Sequence, residues 1–374
     1  MPDAWRWLDL GAVDGATMVN TFVALAGPVG AGRSPPTVLA LYPKAPFANV
    51  GFHQEAEREV DLDYCRTSGI PVVRRVVGGG AILDGPWEQD YMVVVPHGAP
   101  GTEGTVAGFY AHYLAPVRAA LARLGVTAEP SGVNDLAAGG RKVSANGATT
   151  LEESWVLAGD ILLDLDIAAM SRVLNVPDEK FRGKLATGMS DWLTSVKAVT
   201  GAFPDRDRVV AILREEYARA LGVPLEPGPL TEEESAALDR LVRTRSDDAW
   251  TFRRDRAHPA IGTSAEDGRA VKIANDTVVA RADRKAGKLV RVTLLHRHGR
   301  LLELQVSGDF FTQPFEGCLE QLESALAGVP LVRVDIGRTV WDWYRGCGVT
   351  LVGATPDDLV ETILAAAALV PASS

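Results

Sequence analysis

The sequence predicts an α+β fold in two parts, and three observations carry that reading. Strand-like and helix-like stretches alternate from the N-terminus to about residue 225. Three prolines within the seven residues 224–230 then form a stiff, extended connector. Beyond about residue 268, short strand-like runs joined by polar turns read as an antiparallel meander followed by helices. The expected domains are therefore 1–225 and a smaller α+β domain at 231–374.

Each element has its own warrant. Thr37–Leu41, Val72–Val77 and Tyr91–Val95 are apolar, β-branched runs of strand length. Ala107–Leu124 has apolar spacing near a helical repeat, with Pro116 placed to bend it. Lys142–Ala148 alternates like a half-exposed strand, and Ile161–Leu165 reads as a short buried one before a helix at Ile167–Leu174. Pro204–Leu221 is a strong helix with Gly222 just beyond its end. After the connector, Thr231 and Glu234 have capping-box spacing and open another helix. Val271–Ala280, Leu289–Leu295 and Leu301–Val306 form the meander, and Phe315–Ala327 and Pro356–Leu369 read as helices, the last with Thr355 as N-cap and Pro356 at the first helical position.

The bulk numbers set bounds. The 374 residues are 47% hydrophobic and 23% charged, which suits a globular chain of about two domains. A net charge of −10 argues against a broad basic surface for nucleic acid. Three cysteines, Cys65, Cys318 and Cys347, lie far apart without CxxC spacing. They suggest neither a disulfide framework nor a zinc site, and fit a reducing cytoplasm. The N-terminal residues show no basic region followed by an apolar core, and no apolar run approaches the length of a membrane span. The expectation is a cytoplasmic protein without a membrane partner.

Four stretches can carry chemistry. In the first, Arg74-Arg75-Val76-Val77-Gly78-Gly79-Gly80-Ala81, two guanidiniums precede three glycines. Bare backbone N–H groups beside fixed positive charge suit a phosphate or carboxylate, although a tight turn with two solvated arginines reads equally well from these residues alone. The others are Asn134-Asp135, Gly139–Gly147 with Lys142 inside it, and Gly159–Asp166. Lys142 can place one compact charge on an anion, and Asp135 can either close a turn or accept hydrogen bonds from an amine.

In this order and spacing the four resemble the lipoate–protein ligases of the biotin/lipoate protein ligase superfamily. That family carries Arg-Arg-x-x-Gly-Gly-Gly-Ala-Val, then Asn-Asp, then Gly-Arg/Lys-Lys-Ile/Val-Ser-Gly, then His-Gly-x-Leu-Leu-Leu-Asp. The counterparts are Arg74 to Ile82, Asn134-Asp135, Gly140 to Ala145, and Ala158 to Asp164, and the likeness covers about residues 5–220. The region from Trp250 through Ser307-Gly308-Asp309-Phe310-Phe311 to the helix with Leu319, Leu322 and Leu326 is similar, less specifically, to the family's C-terminal accessory domain.

The resemblance implies a class II ligase-like mixed sheet flanked by helices, plus a small α+β accessory domain. It implies ATP and lipoate as substrates, lipoyl-AMP as intermediate, and a lysine of a lipoyl-domain protein as acceptor. Arg74, Arg75, Gly78, Gly79, Gly80 and Ala81 would hold the carboxylate and adenylate, together with Asn134 and Asp135. Lys142 would bridge phosphate and acyl oxygen, and His53 would either line the acyl site or make a structural hydrogen bond. Mg²⁺ would be held through phosphates rather than by a protein cage.

Departures from the pattern cluster at Asp84–Asp90, at Ala158 in place of the family's histidine, at Ala145-Asn146-Gly147, and at Lys184–Trp192. They imply altered acyl or acceptor preference. Two rivals follow from the same resemblance. One is an octanoyltransferase, which takes its acyl group from acyl carrier protein through a cysteine and needs no ATP; here no cysteine occurs between Cys65 and Cys318. The other is a non-catalytic relative that binds a carrier domain. A biotin ligase fits less well, because the arginine-glycine loop has the lipoate form.

Overall fold

The computed structural model describes residues 4–175, 179–255, 270–274 and 277–369. Contacts divide the chain into two units, and neither is a continuous stretch of sequence. The first comprises residues 1–49, 60–74 and 82–247; the second comprises 50–59, 75–81 and 248–374.

The first unit is built on a six-stranded mixed sheet. Its elements, in chain order, are β1 (Trp5–Val13), α1 (Gly15–Gly30), β2 (Thr37–Pro43), β3 (Glu88–Pro96), α2 (Val106–Arg123), β4 (Asp135–Ala138), β5 (Arg141–Ser144), β6 (Asn146–Leu151), β7 (Ser154–Leu162), α3 (Arg206–Leu221), β8 (Leu225–Pro227) and α4 (Glu232–Arg245). The sheet runs β6-β7-β3-β2-β1-β8. β1 is parallel to both neighbours, and the β2, β3, β7 and β6 pairings are antiparallel.

Both faces of this sheet are covered, so its central strands read as apolar runs rather than alternations. On one face Val38, Ala40, Tyr91, Val93, Val95, Leu157 and Ile161 pack with Phe109, Tyr113, Val117 and Leu121 of α2 and Val209, Leu213 and Tyr217 of α3. On the other lies α1, started by Asp14, whose carboxylate accepts from Thr17 N–H at 2.9 Å, and tied to β7 by the Ser154 hydroxyl donating to Ala26 O at 2.7 Å. Nearly all of α1 from Met18 to Val29 is buried, so it has no polar stripe and gives no helical periodicity in sequence.

Two expected strands differ from the observed ones. The expected strand at Val72–Val77 ends at Arg74: Arg75 N–H makes a last rung to Val50 O at 3.0 Å, and its guanidinium turns onto the glycine loop. The expected Lys142–Ala148 strand is two strands, β5 and β6. The break is at Ala145, whose N–H and C=O are both taken by Asp160, at 2.9 and 3.1 Å.

The expected capping box is present: Thr231 N–H donates to Glu234 at 2.8 Å and Glu234 N–H to the Thr231 hydroxyl at 3.2 Å. Helix α4 nevertheless belongs to the first unit, so the second unit's continuous part starts at Asp248 rather than at 231. The physical reason is a buried ion pair. Arg6 on β1 makes two 2.7 Å hydrogen bonds to Glu234, which is fully buried.

The second unit holds the antiparallel meander β9 (Ala270–Ala274), β10 (Thr277–Lys285), β11 (Leu289–Arg297) and β12 (Arg300–Gly308), paired in that order. Helices α5 (Cys318–Leu326), α6 (Arg333–Gly346) and α7 (Pro356–Ala368) share a core with it, among whose residues are Val292, Leu294, Val306, Leu319, Leu322, Ile336, Val340 and Ile363. The expected helix at Phe315 opens later, at Cys318, behind Gly317 in a left-handed conformation.

Candidate active site

In the first unit the chemistry gathers on the β4–β5 hairpin. Gly139 and Gly140 turn it with φ of 56° and 78°, the left-handed pair that a tight hairpin turn requires. This puts Lys142 beside Asp135: Nζ lies 2.7 Å from Oδ2, with each side chain about one-fifth exposed, at 22% and 19%. Lys142 also lies 5.3 Å from the centre of the exposed Trp192 ring. The strand itself is pinned where Lys142 O accepts Thr194 N–H at 2.8 Å. The ammonium is thus oriented on two sides yet in contact with solvent.

Behind the hairpin is a buried polar network. Asn134 donates its amide to Asn146 O, and the Tyr91 hydroxyl donates to Asn146 Oδ1. Asn146 in turn donates to the Ser144 hydroxyl at 3.1 Å. Gly159 is required beside this network, since a Cβ there would fall 1.9 Å from Asn146 Oδ1. Asn134 therefore positions the segment after Lys142.

Next to it are four buried carboxyls: Asp84, Glu88, Asp90 and Asp160. Asp90 and Asp160 are direct cross-strand partners on β3 and β7, so their side chains share one face of the sheet. Glu88 lies two residues from Asp90 on the same face. Asp84 accepts from the Asn49 amide at 2.7 Å. Burial, reinforced by Asp84, pushes Asp160 up to about 7, although the Ala145 N–H and the Lys142 charge pull it down. Burial and the neighbouring carboxylates also push Glu88 and Asp90 well up. Arg206 lies alongside, donating to Glu88 O at 2.7 Å and stacked over Tyr42 at 3.7 Å.

The remaining expected residues fall in two places. Arg74 belongs to the first unit and is 1% exposed. His53, Arg75, Gly78, Gly79, Gly80 and Ala81 belong to the second. There Arg75 closes the glycine loop on itself, donating to Gly78 O at 2.8 Å and Gly80 O at 2.9 Å. Gly79 takes a φ of 97°, and a Cβ on Gly78 would fall 2.5 Å from Phe310 O. His53 is buried, with its Nε2 2.8 Å from the Thr312 hydroxyl and its ring stacked on Phe310. A structural hydrogen bond, one of the two roles expected for His53, is therefore present.

Sequence reasoning missed Tyr91; Asn146, Asp160 and Trp192 lay within the singled-out stretches but were not named as site residues. The signal for the carboxyls was available in part: Glu88 and Asp90 alternate at the start of a strand whose remainder, Tyr91–Val95, is apolar. The side chains of residues 180–185, which open the departure at Lys184, lie outside the described residues.

The model of the lipoyl protein ligase A/B catalytic domain matches residues 24–218. The chain belongs to that family. Two relatives of this lipoyl ligase-like chain are octanoyltransferases LipM. That of Kyrpidia tusciae is 29% identical over 272 residues, covering 67% of this chain and 99% of the relative. That of Symbiobacterium thermophilum is 30% identical over 285 residues, covering 68% and 100%. The bipartite lipoate protein ligase of Thermoplasma acidophilum, solved in a study of that ligase and its E2 lipoyl domain, superposes with a TM-score of 0.61 at 24% identity, covering 67% of this chain and 97% of that one. The lipoate-bound LipL1 of Plasmodium falciparum has a TM-score of 0.70 at 11% identity and covers 96% of this chain and 99% of its own. These structures share the expected α+β fold, a mixed sheet flanked by helices.

The octanoyltransferase relatives correct one expectation. An ATP-dependent, adenylate-forming ligase was expected, with ATP and Mg²⁺; relatives matched over essentially their whole length are transferases instead. The family's association with lipoyl-group chemistry stands, and ATP and Mg²⁺ do not carry over. Among the described residues no helix is long and apolar enough to cross a membrane.

Proposed function

We propose that this chain is an octanoyltransferase, moving a medium-chain acyl group from a carrier-bound thioester to a lysine of a lipoyl-domain protein. The observation that carries the reading is the held ammonium of Lys142, 2.7 Å from Asp135. A carbonyl under attack by an amine develops negative charge on its oxygen. A cation already fixed and partly shielded stabilises that charge without reorganising. Asp135 sets the direction of the ammonium, and the network of Asn134 with the buried Asn146 and Tyr91 fixes the strand that presents it. Likeness to octanoyltransferases, over 67–68% of this chain and 99–100% of those relatives, supports the same reaction class.

The test is transfer of octanoate from octanoyl-loaded acyl carrier protein to a lipoyl-domain acceptor without ATP. Lys142→Ala should slow transfer by about 10²–10³-fold with an unchanged circular dichroism spectrum. A wild-type protein that transfers nothing would sink the reading, and a Lys142→Ala variant near the wild-type rate would sink the site.

A further inference from the structure

We infer, resting on the octanoyltransferase reading above, that Trp192 reads the acyl chain: its indole ring takes the first methylenes of the acyl group whose carbonyl lies on Lys142. Trp192 is then a specificity-determining residue of the same site.

Trp192 ends the helix Glu179–Trp192 and is 67% exposed. One exposed apolar residue needs no explanation by itself. Where this one is held is the informative part. Leu193 pairs with Lys142 in a parallel bridge, and Thr194 N–H donates to Lys142 O at 2.8 Å. Leu193 N–H donates back to Met189 O at 2.7 Å, closing the helix. Thr194, Ser195 and Val196 are buried, and the Ser195 hydroxyl caps the next helix by accepting Ala198 N–H at 3.1 Å. The backbone at Trp192 is thus tied to the strand that presents the ammonium, and the ring centre stands 5.3 Å from Lys142 Nζ. An indole, which carries one of the largest apolar surfaces of any side chain, is left mostly bare beside the charge.

The geometry selects the occupant. An acyl oxygen stabilised by Lys142 lies about 3 Å from Nζ, so the carbon next to the carbonyl falls close to a ring 5.3 Å from the same atom. On its other side Nζ is 2.7 Å from the Asp135 carboxylate. Methylenes laid there would strip a charge of water, at a cost. Laid on the indole they leave water for an apolar surface, and each methylene fully removed from water favours binding by about fourfold. The departure at Lys184–Trp192, which implied an altered acyl preference, thereby gains a physical basis.

The experiment uses the full-length protein and one acyl carrier protein, loaded with octanoyl or with butyryl, and reads kcat/KM for transfer to a lipoyl-domain acceptor. Trp192→Ala should lower kcat/KM about tenfold for the octanoyl donor and no more than about twofold for the butyryl donor, while Trp192→Phe should keep most of the octanoyl preference. Both donors share the carrier and the reacting carbonyl. A contact of Trp192 with the carrier protein, or an effect of the ring on Lys142 alone, therefore cancels in the ratio. Equal losses for the two donors would overturn the inference. A second readout needs no alanine variant: octanoyl-pantetheine, and not pantetheine, should change the tryptophan emission of the wild type more than that of Trp192→Phe, and identical changes in the two proteins would also overturn it. A wild-type enzyme that transfers octanoate with an octanoyl-to-butyryl ratio untouched by Trp192→Ala takes down this inference alone. One that transfers no octanoate takes down the octanoyltransferase reading with it.

Discussion

Asp160 shows how one residue can set the pH response of this protein. It faces Asp90 across two buried strands, and its carboxyl is held up at about 7 by burial. A carboxyl raised in the folded state binds its proton more tightly there than in the unfolded chain. Its contribution is therefore fully present below about pH 4 and is lost as pH rises through about 7. Replacing Asp160 by Asn removes the titration. The variant should be more stable than wild type at pH 8, by about 1–3 kcal/mol, and the gain should shrink towards pH 5. Urea unfolding at the two pH values measures it, and an equal effect at both would rule out the paired-carboxyl account. In sequence the position was legible only as part of the Gly159–Asp166 stretch, two residues after the departure at Ala158. Its meaning came from the partner across the sheet, which sequence does not supply.

At the scale of elements, α4 is the instructive case. Its start was readable from Thr231 and Glu234, because a capping box is a local interaction between residues three apart. Its allegiance was not, because Arg6 and Glu234 are 228 residues apart. Glu234→Ala leaves the Arg6 guanidinium buried without its carboxylate and should cost about 3–5 kcal/mol in urea unfolding. A loss no larger than that of removing an N-terminal cap, about 1 kcal/mol, would show the pair to be incidental. The hairpin carrying Lys142 follows the same logic. Its Gly139-Gly140 turn is a local signal. The division of the expected strand at Ala145 depends on Asp160, brought there by the β6–β7 pairing.

At the scale of the whole molecule, both units are discontinuous in sequence. Residues 50–59 and 75–81 are completed by the C-terminal part of the chain: His53 meets Thr312, Ala56 and Glu57 N–H donate to Asp255, and Gly78 packs under Phe310. A chain ending at Asp247 should therefore be cleaved by protease within these two segments first, while the full-length protein resists there. Cleavage at the same rate in both would show that the segments do not need the C-terminal residues.

The sequence by itself determined the local elements and the family: helix caps, glycine turns, apolar runs, and four motifs in a fixed order. Periodicity and φ preference act over a few residues, and motif order survives divergence. Only the tertiary structure decided which of those motifs share a unit. It placed Lys142 with Asp135 and the buried carboxyls, set Arg75 and the glycine loop among residues of the C-terminal unit, and put α4 on the N-terminal side of the boundary. Those outcomes depend on burial and on charge pairs between residues far apart in the chain, whose stabilisation exists only once the sheet has brought them together.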